Sequence, residues 1–356
     1  MPVEFYVHAP MPDNSNERRA ACRVARLLYQ QYRDSEDHLL LVVNVDPAQA
    51  AVAPPAHDLT QLDALLLGPN FVAILDFKNY FDPIESPSAH GAWYAVTRHG
   101  AKKVLGGASE NPLQQAYRAR AAWSAYFQQV SAQFLAPERQ QALHKAWPHL
   151  SFFLLFHPYL NARSRLPALG NADHWFHPRS IDQVTELAYA LRSPLLRLTP
   201  AECRGLVLHG LRAQPWDDMA QLLPQQVLGY LMVSEPDSRR APVRYPLSPF
   251  DAMTIGRSAS VQGHRVSSAG LSLQVSGRHA QVETTHQDVL LQDLGSKNGT
   301  YVNGQCLEAG QLVVLQPGQR AFLGNTDSQA CHIWFEPRAW YGDSGNITLV
   351  TQTGSS

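Results

Sequence analysis

"QLDALLLGPNFVAILDFKNY", residues 61–80, decides how the first part of the chain folds. Two short apolar runs flank Gly68, Pro69 and Asn70, a pattern that predicts two strands joined as a hairpin. The second run ends on Asp76 and Lys78. Successive strand side chains alternate, so acid and amine share one face while Phe77 takes the other. Whether Asp63 joins them depends on the turn. A four-residue turn from Gly68 to Phe71 pairs Leu67 with Val72 and sets Asp63 opposite Asp76, whereas a three-residue turn sends the two acids to opposite faces.

Two carboxylates opposed at short range in an apolar sheet raise each other's pKa unless a divalent cation sits between them. Oxygen ligands of this kind suit Mg2+ or Mn2+. A metal there activates water and stabilises charge on a phosphodiester, while Lys78 orients the nucleophile or neutralises the developing oxyanion.

Upstream, "NERRAACRVARLLYQQYR" spaces Ala21, Val24, Ala25, Leu28 and Tyr29 as the stripe of an amphipathic helix, with Asn14 or Ser15 as its cap. "HLLLVVNV" (38–45) reads as a strand. Downstream, "NPLQQAYRARAAWSAYFQQV" from 111 is helical, with Asn111 as cap and Pro112 in the first turn. "SFFLLF" (151–156) is a buried strand and "SIDQVTELAYAL" (180–191) a helix opened by serine. The alternation predicts a mixed α/β domain.

With 356 residues the chain has room for two cores. Hydrophobic residues at 45% and charged ones at 17% are the balance of a globular protein. A formal net charge of −1 provides no global field for nucleic acid, so any such contact rests on a local patch. Cys22, Cys203, Cys306 and Cys331 lack CxxC spacing, which argues against a zinc site or a disulfide framework. No apolar window approaches a membrane span and no basic start precedes an apolar stretch, so a cytoplasmic location is expected. GxSxG, HExxH and P-loop patterns are missing from the sequence.

The first region resembles the PD-(D/E)xK nucleases of the restriction-endonuclease-like superfamily, and more closely the nuclease-related domain found in many bacterial proteins. The likeness rests on Glu17 in the first helix, the hairpin with Asp63, Asp76 and Lys78, Trp93, and "NPLQQA" with Gln115. It implies an α/β fold with a mixed central sheet flanked by helices. It also implies Asp63 and Asp76 as metal ligands and Glu17, Lys78 and Gln115 as catalytic companions. One departure is Asp76, where most members carry glutamate; the shorter reach tightens the geometry.

Near 234 the pattern changes. "SEPDSRRAPVRYPLSPF" (234–250) is rich in proline without periodicity and reads as a linker. Beyond it "LSLQV", "HAQVE", "DVLLQDL", "QLVVL" and "ACHIWFE" alternate with Gly, Asn and Ser turns, the pattern of an all-β sandwich. "TIGR" (254–257), "VSGRHAQV" (275–282) and "SKNGTYVNG" (296–304) follow in order. Together they resemble the forkhead-associated domain, a phosphothreonine-binding sandwich. The resemblance implies that Arg257, Ser276, Arg278, Lys297 and Asn298 face the ligand, with Gly256, His279, Gly299, Thr300 and Asn303 shaping the loops. A phosphothreonine dianion requires a guanidinium, hydroxyls and amides of this kind. Gly277 and Lys297 depart from the family's usual residues, and the stretch from Arg257 to Ser276 is longer than usual.

The expected organisation is a nuclease-related domain at 1–215, a helix and proline-rich linker at 216–245, the sandwich at 246–337 and a mobile tail at 338–356. The expected function is a Mg2+- or Mn2+-dependent nuclease recruited to a phosphothreonine-bearing partner of a Ser/Thr kinase pathway, with DNA or RNA as substrate. The alternative is a non-catalytic adaptor. Thr348, Thr351 and Thr353 in the tail are candidate ligands for the sandwich in cis.

Overall fold

Strands buried on both faces read as continuous apolar runs, and the centre of the first region is built from three of them. The computed structural model describes residues 3–12, 15–49, 59–97, 100–105, 111–191, 193, 195–224, 227–234, 241–257, 265–266, 274–324 and 330–341. The chain divides into two units, Met1–Gln221 and Leu222–Ser356.

Unit one contains β1 (Val3–Val7), β2 (Leu39–Val45), β3 (Leu62–Gly68), β4 (Phe71–Tyr80), β5 (Ile84–Glu85), β6 (Tyr94–Thr97), β7 (Gly100–Lys103), β8 (Ser151–Pro158), β9 (Phe176–Ser180) and β10 (Gln214–Pro215). Seven of them form a sheet in the order β10-β1-β2-β3-β4-β8-β9. β1 and β2 run parallel, β2, β3 and β4 antiparallel, and β4, β8 and β9 parallel, so the sheet is mixed. β5, β6 and β7 form a separate small sheet.

Helix α1 (Asn16–Tyr32) buries Ala21, Val24, Ala25 and Leu28. Ser15 caps it, its Oγ accepting from Arg18 N at 3.0 Å; the alternative cap, Asn14, lies outside the described residues. Helix α2 (Pro112–Val130) lays Leu113, Ala116, Trp123 and Phe127 against Val72, Ile74, Leu154 and Phe156, which share one core. Asn111 opens this helix. Its side chain accepts from Gln114 N at 2.9 Å and donates to Gly91 O at 2.7 Å, tying the loop before β6 to the start of α2.

Unit two contains β11 (Gly229–Ser234), β12 (Val243–Leu247), β13 (Ala252–Ile255), β14 (Arg265–Val266), β15 (Ala280–Thr284), β16 (Val289–Asp293), β17 (Thr300–Val302), β18 (Gln305–Cys306), β19 (Leu312–Val314), β20 (Ala321–Leu323) and β21 (Cys331–Pro337). They form two sheets, β12-β11-β21-β20-β17-β18 and β14-β13-β15-β16-β19. Leu231, Ile333 and Leu323 of the first share a core with Ile255, Val282 and Leu291 of the second. This is an all-β sandwich.

Three expectations change. The 234–250 stretch is not only a linker, because β12 pairs antiparallel with β11 along its length. β12 is an edge strand, where Pro246, lacking an N–H, is accommodated. Of "LSLQV", the described residues Gln274 and Val275 form a turn rather than a strand. Of the tail, Arg338–Tyr341 is a short 3-10 turn. Thr348, Thr351 and Thr353 lie outside the described residues.

Asn111 is fully buried, so Asn111→Ala removes a helix cap and leaves backbone groups of two segments unpaired. The expected loss is about 2 kcal/mol of unit-one stability, measured by urea unfolding; an unchanged midpoint contradicts the capping role.

Candidate functional site

The first site stands on the register of β3 and β4. Gly68 pairs with Phe71, Leu67 with Val72 and Ala64 with Leu75, so the four-residue turn is the one that forms. The next step of that register sets Asp63 across from Asp76 on the α2 side of the sheet. Lys78 Nζ donates to Asp76 Oδ1 at 2.8 Å and to Gln115 Oε1, on the first turn of α2, at 3.3 Å. Asp63 Oδ2 accepts from Phe77 N at 2.6 Å. Asp63, Asp76, Lys78 and Gln115 therefore converge.

The electrostatics are strained. Asp76 is 6% exposed, and its Oδ2 is buried without a hydrogen-bond partner. Burial, then the charge of Asp76, push the Asp63 carboxyl up to about 7; the Phe77 amide and Lys78 pull it down, and Glu17 adds a weaker upward push. Glu17 itself is exposed in the first turn of α1. It acts on Asp63 through its charge.

An orphaned carboxylate oxygen beside a second crowded carboxylate is a donor set that suits a hard cation. Among the described residues no group of three or more His, Cys, Asp or Glu side chains could hold a metal. The acids that the structure brings together here are Asp63 and Asp76.

Asn44 was not singled out from the sequence, although an asparagine inside the apolar run of β2 was the available signal. It falls between the pairs Val43 with Ala64 and Val45 with Leu62, across from Asp63. Its φ is 52°, and its Nδ2 donates to Ala9 O at 2.9 Å and Pro10 O at 2.8 Å. It fastens the segment before α1 to the Asp63 end of the hairpin.

The second site is a set of loops at one end of the sandwich. Gly256 is required there, since a Cβ would lie 2.1 Å from Gly277 O. Arg257 N donates to Ser276 O at 3.0 Å, and Arg257 Nε donates to Val275 O. The Arg257 and Lys297 side chains are exposed, Ser276 and Arg278 half-buried. Lys297 N donates to Ser276 Oγ at 2.9 Å, so the hydroxyl is set by the very loop it faces. Asn298 Nδ2 donates to Gln274 O and Oε1, both at 2.8 Å.

Beneath the loops, His279 Nδ1 accepts from Ser276 N at 3.0 Å and Nε2 pairs with Gly299 O at 2.9 Å. Burial holds this imidazole below its ordinary value, which fits a neutral ring donating through Nε2. Gly299 adopts φ +80° and Asn303 φ 51°, the left-handed region that tight turns need. The main brace, Asp293, was not singled out. Its carboxylate accepts from Gly295 N at 2.7 Å, Ser296 N at 2.9 Å, Ser296 Oγ at 2.6 Å and Thr300 Oγ1 at 2.7 Å.

The Asp63 shift sets a pH dependence. Its folded value of about 7 exceeds the ordinary 3.8, so between those values the folded protein holds a proton that the unfolded chain has released. Stability from this group is complete below about pH 4 and is lost as pH rises through about 7. In chelator-treated protein, Asp63→Asn should gain roughly 1–4 kcal/mol at pH 8 and nothing at pH 4. Its amide oxygen can still accept from Phe77 N. Equal gains at both pH values contradict the crowding of the carboxylates.

Comparisons with known proteins agree with this architecture. The nuclease-related domain family matches residues 15–144 and the FHA domain family residues 253–324. No curated protein matches the chain. Among solved structures, the FHA domain of CT664 from Chlamydia trachomatis is 21% identical, covering 30% of this chain and 96% of that one, with a TM-score of 0.24. The N-terminal FHA domain of Rad53p from S. cerevisiae, in complex with a phosphothreonine peptide, is 20% identical, covering 31% and 94%, with a TM-score of 0.26. No helix among the described residues is long and apolar enough to cross a membrane. The chain therefore carries a nuclease-related domain and, after it, an FHA domain.

Proposed function

We propose that unit one is a metal-dependent phosphodiesterase acting on nucleic acid, and that unit two brings it to a phosphothreonine-bearing protein of a kinase pathway in the cytoplasm. The observation that carries the nuclease reading is the buried Asp76 oxygen without a partner, set beside Asp63 and a lysine. Asp63 and Asp76 would hold Mg2+ or Mn2+. Such a cation, when bound, lowers the pKa of a water and offsets charge on the scissile phosphate. Gln115 and Asp76 hold the Lys78 ammonium at the pocket, where a fixed cation orients an attacking water and offsets charge growing on the phosphoryl oxygens. Glu17 contributes field at longer range.

In the reader, Arg257 offers a planar fork to the phosphate, Ser276 a hydroxyl donor, and Lys297 and Arg278 further positive charge. Asn298, aligned by Gln274, meets the peptide backbone beside the phosphothreonine. The adaptor reading has one observation in its favour: the described residues supply two carboxylates at the pocket and the third acid, Glu17, is exposed.

Full-length protein with Mn2+ should cleave single- or double-stranded DNA or RNA, and Asp76→Ala should lower the rate by at least roughly a hundredfold. No cleavage of any substrate with either metal favours the adaptor. Phosphothreonine peptides should bind unit two, with Arg257→Ala weakening them by roughly ten- to a hundredfold and Lys297→Ala by less, since a solvated point charge is screened. Equal affinity for wild type and Arg257→Ala contradicts the reader assignment.

A further inference from the structure

The small sheet of unit one has no part in the chemistry above. Tyr94 of β6 pairs with Lys103 of β7, and Glu85 of β5 pairs with Tyr94 on its other side. Arg165 extends the row by bridging to Glu85, held by Arg165 N to Ile84 O at 2.7 Å and Ser86 N to Arg165 O at 3.3 Å. Directly opposed residues share a sheet face, so Arg165, Glu85, Tyr94 and Lys103 form one row, and all four are exposed. Val96, 39% exposed, stands on the same face as Tyr94, 38% exposed. The other face is closed, with Ile84 and Ala95 in the core of unit one. Lys102 of the edge strand β7 pairs with Ala95 and so belongs to that other face.

This face is fastened to the acidic pocket from two directions. β4, which carries Asp76 and Lys78, runs through Phe81, Asp82 and Pro83 directly into β5. The loop ahead of β6 is tied to α2 by Asn111, and α2 carries Gln115, the partner of Lys78.

Resting on the nuclease reading, we propose that this face holds a single-stranded polynucleotide leading to the acidic pocket, with an unpaired base stacked on Tyr94 and the backbone phosphates beside Lys103 and Arg165. A partly exposed aromatic ring with cations beside it on an open sheet face is an arrangement that binds single strands without reading sequence. Bases of a duplex are already stacked on each other, so a duplex gains from the cations but not from the ring. Glu85 repels phosphate at its own place in the row, between Arg165 and Tyr94. With a net charge of −1 for the whole chain, such a local patch is what contact with nucleic acid requires. A planar ring and point charges do not distinguish ribose from deoxyribose, so both kinds of strand are expected to bind.

The test is fluorescence anisotropy of labelled oligothymidylate, oligouridylate and a DNA duplex of equal length, with full-length protein in chelator so that no cleavage occurs. Wild type should bind both single strands more tightly than duplex. Tyr94→Ala should weaken single-strand binding about tenfold or more and leave duplex binding unchanged, while Tyr94→Phe retains it. Lys103→Ala should reduce the slope of log affinity against log salt by about one phosphate's worth. Thermal unfolding of each variant verifies the fold. Three results overturn the proposal: no single-strand binding, a preference for duplex, or Tyr94→Ala binding as tightly as wild type. The nuclease reading fails separately, through wild type that binds in chelator and cleaves nothing when Mn2+ is added.

Discussion

The crowding of two carboxylates at one end of an apolar hairpin is the constraint on which unit one depends. β3 and β4 are buried on both faces, Asp76 is buried with them, and Lys78 answers one of its oxygens while the other has no hydrogen-bond partner. Such an arrangement costs stability in the empty protein and is tolerated where something in function compensates for it. The rest of unit one can be seen as holding that arrangement. The turn at Gly68–Phe71 sets the register, the capped start of α2 brings Gln115 to Lys78, and Asn44 ties the segment before α1 beside Asp63.

Unit two places its constraint the other way round. Its exposed cations stand on loops whose geometry is set from beneath by buried, fully engaged polar groups, Asp293 and His279. Rigid loops with displayed donors lower the ordering cost of binding an anion. In the first unit a polar group is left without a partner; in the second the braces are satisfied and the displayed groups face solvent.

Much of this was legible in the sequence, and where it was not the reasons are physical. The helices of unit one announce themselves through the spacing of Ala21, Val24, Ala25 and Leu28 and through Asn111-Pro112. The register of β3 on β4 was not decidable, because strands buried on both faces carry no alternation from which to take the phase. β12 was hidden by Pro242 and Pro246, since proline argues against a strand except at an edge, and edge position is a property of the sheet, not of the segment. Glu17 was legible as an acid near the start of α1, but its exposure follows from how the helix lies on the sheet. Asp293 stands in the sequence only as the acid near the end of an apolar run, and its role arises from the following loop, Gly295 to Thr300, folding back on it. The row from Arg165 to Lys103 joins residues far apart in sequence, which no local pattern reports.

The central claim is that Asp63 and Asp76 together form a cation site. Calorimetric titration of Mn2+ into metal-free full-length protein tests it most directly, comparing wild type with Asp63→Asn and Asp76→Asn. One site per chain in wild type, lost or weakened at least roughly tenfold in each variant, is the result the paired carboxylates predict. Mn2+ binding of equal affinity in all three proteins, or none in wild type, contradicts it.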